Sequence, residues 1–84
     1  MNAASWVKPG EWFILCGITE QIQAVAPNGD VKTGKRGRNY SWWPAETFPT
    51  TQMVHLPNFD PTAPGAYTAA CVAETEALAP RSNR

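Results

Sequence analysis

The apolar residues of this chain come in short bursts with strand-like spacing. Glu11 to Ile18 reads EWFILCGI, a nearly continuous apolar run with β-branched and aromatic members, the pattern of a strand covered on both faces. Lys8-Pro9-Gly10 before it is a turn signal. Glu20 to Ala26 alternates, with Ile22, Ala24 and Ala26 opposed to Gln21, Gln23 and Val25. Pro27-Asn28-Gly29-Asp30 follows, and Asn-Gly between two extended segments predicts a hairpin in which both central residues take positive φ. Asp30 to Lys35 is then the returning strand. Asn39 to Trp43 is the next, halted by Pro44, and Thr50 to Leu56 alternates once more before Pro57 closes it.

The pattern changes at Pro57. Leu56 to Gly65 (LPNFDPTAPG) holds Pro57, Pro61 and Pro64, which excludes helix and central strand and predicts an extended arm over 57–65. From Ala66 the chain becomes alanine-rich, with Tyr67, Cys71 and Leu78 at helical spacing. This predicts a short helix over 66–79, ended by Pro80 and followed by a polar tail over 80–84. So short a helix is marginal alone in water, so Tyr67, Cys71 and Leu78 are expected to dock on the sheet or on another molecule.

With 84 residues there is room for one domain only. The fold class is mainly β. Four to five short strands within 1–56 bury both faces most economically as a small SH3-like or half-closed β-barrel, with the proline-rich arm and one C-terminal helix appended. The alternative is a meander with the helix laid across one face.

Charge narrows the function. Seven basic and seven acidic residues give a formal net charge of zero, which argues against a generally basic coat for nucleic acid. One segment departs from that balance. Val31 to Trp43 (VKTGKRGRNYSWW) carries Lys32, Lys35, Arg36 and Arg38, no acid, and then Tyr40, Trp42 and Trp43. Arg, Trp and Tyr are favoured anchors of protein interfaces, and basic groups beside aromatic rings also suit phosphates and stacked bases. These seven residues are the candidate partner-binding site, for protein first and for nucleic acid as the alternative. Trp42 and Trp43 must point to opposite faces of their strand, so at least one belongs to the core.

Two motifs come close without fitting. Gly29 to Arg36 has the glycine and lysine spacing of a phosphate-binding loop, but Arg36 stands where a Ser or Thr must meet magnesium. Ser41-Trp42-Trp43-Pro44-Ala45 resembles the signature of PWWP domains, in which several further strands follow the motif. Here one strand, an arm and a helix remain, and no property of that family is carried over.

Catalytic material is sparse. His55 is the sole histidine, Cys16 and Cys71 sit in apolar stretches that predict buried, inert thiols, and the carboxylates are scattered. A Cys16–Cys71 bridge is possible but not favoured. No enzyme activity, metal or cofactor is expected, and no sizeable pocket or small-molecule substrate. The longest unbroken apolar stretch, Trp12 to Cys16, is too short to cross a bilayer, and the first residues lack the pattern of a signal peptide. The expectation is therefore a cytoplasmic, non-enzymatic protein-binding module. It would be a small accessory subunit or inhibitor that self-associates or docks on a larger assembly, with a viral origin and incorporation into a virion fitting that role.

Overall fold

The structure, a computed structural model, describes residues 4–35 and 38–78, apart from the side chains of residues 38 and 39. Five strands form one antiparallel sheet: β1 (Trp12–Leu15), β2 (Ile18–Val25), β3 (Val31–Lys35), β4 (Arg38–Trp43) and β5 (Val54–Leu56). Helix α1 (Ala66–Leu78) follows. The strand order is β4-β3-β2-β1-β5, so β4 and β5 are the two edges. They do not pair, and the sheet is open. The expected barrel closure is absent: β1 to β4 run as a meander, the chain then crosses back to set β5 beside β1, and the helix lies across one face.

The sheet need not close because chain segments cover its faces instead. Strand alternation sends Phe13, Ile22 and Val31 to one side, the front, where each is 1% exposed. Val7 from the N-terminal segment and Phe48 and Met53 from the connection between β4 and β5 pack onto them, with Trp6, Leu15 and Trp43 at the margin. Phe48 meets Phe13 and Trp43 edge-on, at ring separations of 6.1 and 5.8 Å. Burying a side chain such as Phe13 contributes about 1.5–3 kcal/mol. On the opposite side, the helix face, Trp12, Ile14 and Leu56 pack beneath Ala70 of α1. The segment 57–65 is not the extended arm expected but a succession of turns, closed by the bonds Phe59 N–H to Leu56 O and Ala63 N–H to Asp60 O, and Phe59 lies against Trp12 at 5.0 Å and Tyr67 at 5.5 Å. Asp60 there accepts hydrogen bonds from the hydroxyl and the amide of Thr62, which hold its carboxyl below the ordinary aspartate range.

Several local expectations change. The apolar run from Glu11 does not continue to Ile18 as one strand. Cys16 and Gly17 both have positive φ (52° and 80°) and make a two-residue hairpin turn between Leu15 and Ile18. At Asn28-Gly29 the hairpin forms, but with a different turn. Only Gly29 takes positive φ (95°), and its N–H donates to Ala26 O at 2.8 Å, with Pro27 at the second turn position. The segment Thr50 to Leu56 splits into a 3₁₀ turn, Thr50–Gln52, and the short β5.

The helix docks by a different stripe from the one expected. Ala70 is 3% exposed and Ala73 packs beside it, whereas Tyr67, Cys71 and Leu78 are exposed. Small side chains let the helix backbone approach the broad ring of Trp12, and the larger ones are turned aside. Cys16 and Cys71 are both free and exposed, which corrects the reading of buried thiols: one sits in a turn, the other on the solvent side of a helix that docks through alanine. Gly17 N–H donates to Glu74 Oε1 at 3.0 Å and ties the helix to that turn.

A cysteine in the left-handed region is disfavoured relative to asparagine, which bonds locally there. Cys16→Asn is expected to raise stability by about 0.5–1 kcal/mol. An increase in the urea midpoint at unchanged slope would show it, and a decrease would mean that the thiol makes a contact of its own.

Candidate functional site

Among the described residues, Lys32 and Lys35 lie on β3 and Arg38, Tyr40, Trp42 and Trp43 on β4, two paired strands. The registers Lys32↔Trp42 and Thr33↔Ser41 decide where each side chain goes. Residues directly opposite share a face, so Lys32 and Trp42 stand together on the helix face, with Tyr40 two positions along β4. Lys32 Nζ sits 4.8 Å from the centre of the Tyr40 ring, within cation–π range. Trp42 is 54% exposed and Tyr40 47%. Among the described residues, helix α1 packs on this face chiefly over β1 and β5 and leaves Tyr40 and Trp42 on the β3–β4 half exposed.

Trp43 is on the other side. Its indole Nε1–H donates to Thr33 Oγ1 at 3.1 Å, and the Thr33 hydroxyl donates to Glu20 Oε1 at 2.7 Å. Thr33 is 0% exposed, so this chain is built into the front core. Trp43 is therefore a core residue, and Trp42 is the tryptophan presented to solvent. Of the remaining candidates, Lys35 is exposed at the end of β3, Arg38 is described only as a backbone position in β4, and Arg36 lies outside the described residues.

The acids near this surface are held away from it. Glu20 is engaged with Thr33 on the front face, Glu11 with His55, Glu74 with the backbone of Gly17, and Asp30 with the amide of Ala45. The uncovered half of the helix face thus carries aromatic rings and lysine, with no carboxylate from β2, β3 or β4 on it.

An open cleft of about 330 Å³, absent from the sequence reading, adjoins it. Gly17, Ile18, Thr19, Lys35 and Tyr67 line it. Its walls come from the β1–β2 turn, the end of β3 and the first turn of α1, which are far apart in sequence. Helical spacing alone marked Tyr67, and for docking rather than for a cleft. No local signal marks Ile18 or Thr19.

His55 serves the fold. Its Nε2 is 2.7 Å from Glu11 Oε1, and Trp6 stacks on the ring at 4.6 Å and 7°. This cluster fastens the N-terminal segment to the β1–β5 edge. Among the described residues no three His, Cys, Asp or Glu side chains converge as metal ligands, and no helix is long and apolar enough to cross a membrane.

Thr33→Val is expected to cost about 1–3 kcal/mol, because the Trp43 N–H loses its acceptor and Glu20 its donor inside the core. Thr33→Ser should recover most of that loss. Urea titrations of the two variants test the assignment, and equal stability of valine and wild type would refute it.

Comparison of the chain with protein-family models, with curated proteins and with solved structures returns no match to any of them.

Proposed function

We propose that this protein is a non-enzymatic protein-binding module, and that its working surface is the uncovered half of the helix face formed by β3 and β4. The observation that carries this reading is the exposure of Tyr40 and Trp42 beside Lys32. Large aromatic side chains left in water on a rigid strand lose little conformational entropy on binding and release much apolar area, which is what interface anchors do. Lys35 adds basic charge at the end of β3, and the sequence continues with Arg36 and Arg38. A small accessory subunit or inhibitor docking on a larger assembly fits this arrangement. The SH3-like relationship belongs to the same proposal: the strand order and the 3₁₀ turn directly before the last strand support it.

The same residues favour one second reading. Lysine beside exposed rings on a sheet face can neutralise phosphate while bases stack, so single-stranded nucleic acid is the alternative partner. Two features weigh against it. The chain has no net positive charge, and Lys32 already caps one side of the Tyr40 ring.

Selection of peptides from a display library tests the first reading. Enriched peptides should lose about tenfold or more in affinity on Trp42→Ala combined with Tyr40→Ala. They should be indifferent to Val72→Ala on the solvent side of α1. Peptides insensitive to the aromatic pair would remove this surface from the proposal. Binding of a mixed single-stranded oligonucleotide that falls steeply with added salt would instead establish the second reading.

A further inference from the structure

The two edges of the sheet are unlike each other. β5 is three residues long, follows a 3₁₀ turn and runs directly into Pro57, so it offers little backbone for pairing. β4 is six residues long and extends about 20 Å. Its residues 39–43 are Asn, Tyr, Ser, Trp and Trp, with no proline and no charge to discourage a neighbouring strand. A long, aromatic, unguarded edge is a template for another strand.

We propose that the occupant of this edge is a second copy of the chain, paired β4 to β4 antiparallel about a two-fold axis at Ser41. This rests on the protein-binding reading above and names its partner. The sequence around Ser41 is self-complementary in shape. With Ser41 opposite its own counterpart, Tyr40 faces Trp42 of the second copy, and Trp42 faces its Tyr40. Directly opposed aromatic pairs add to the backbone bonds, and symmetry supplies two of them. Both lie on the helix face, where the rings are now half in water.

Charge selects the antiparallel sense. Lys35, exposed at the end of β3, lies opposite the first position of β4. Parallel pairing would place the two Lys35 residues at the same end of the new strand pair, whereas antiparallel pairing sends them to opposite ends of a strand about 20 Å long. The two Lys32 strands would then be three strand spacings apart, about 14 Å, beyond the screening length of about 8 Å at physiological salt. A chain with zero formal charge also brings no overall repulsion to its own copy. The result is a continuous ten-stranded sheet with the β5 edges outermost. One strand pair is a small interface, so the dimer is a weak one that responds to concentration.

Sedimentation of the full chain from about 1 μM to about 1 mM reads the equilibrium directly. The expected result is a monomer giving way to a dimer, with Trp42→Lys and Tyr40→Lys each weakening association by about tenfold or more. Val72→Lys should leave it unchanged. Amide exchange of the wild-type chain is the second readout and needs no variant to fold: the outward amides of β4 should be protected in concentrated solution and exchange when diluted. A monomer at every concentration, a dimer indifferent to both substitutions, or β4 amides that ignore concentration would each overturn the proposal. Failure here is separable from failure of the binding module. Peptides that still depend on Trp42 while the chain stays monomeric would refute only the self-pairing.

Discussion

The side chain of Thr33 sets the character of both faces of the sheet. Its hydroxyl is sealed inside the front core, receives the indole N–H of Trp43 and donates to Glu20. A slip of one residue between β3 and β4 would exchange Trp43 for Trp42 at that position and turn every side chain of β4 over. This polar chain makes such a slip costly, because the buried Thr33 hydroxyl would lose the half-buried Trp43 indole N–H that it accepts. Trp42, Tyr40 and Lys32 are consequently locked together on the other side. The face on which Tyr40 and Trp42 are exposed is thus fixed by a bond on the opposite face.

The same economy explains why the sheet stays open. A small closed barrel fills its interior with its own strands. Here the front core is completed by Val7, Phe48 and Met53 from non-strand segments, and part of the back by α1. Those covers are short. The helix reaches β1 and β5 and stops, so the β3–β4 half of its face keeps its aromatic side chains in water. Exposed Tyr40 and Trp42 are therefore what remains when one thirteen-residue helix covers part of a five-stranded sheet.

Alanine docking gives the helix a second consequence. Ala70 and Ala73 bring the backbone close to Trp12, and Glu74 reaches the amide of Gly17. Tyr67 then leans over the β1–β2 turn and forms one wall of the cleft with Thr19 and Lys35. A helix docked by its larger stripe would have closed that space. The cleft and the aromatic hairpin flank the same uncovered strip of sheet.

Much of this was legible in the sequence. The extended runs, the helix and its start at Ala66 follow from apolar spacing and from the placement of proline, whereas the segment 57–65 folds through turns in place of the extended arm. The opposition of Trp42 and Trp43 follows from strand alternation. These are local constraints, and a chain expresses them wherever it folds. Other features depend on what each segment met in space. EWFILCGI breaks at Cys16-Gly17 because Glu74 and the pairing of β1 with β2 favour a tight turn that composition alone does not announce. The helix turned its alanine stripe inward because Trp12 required close approach. Trp43 rather than Trp42 entered the core because Thr33 and Glu20 were waiting across the sheet. Periodicity determined which residues share a face, and only the tertiary structure decided which face would be covered, because covering depends on partners distant along the chain.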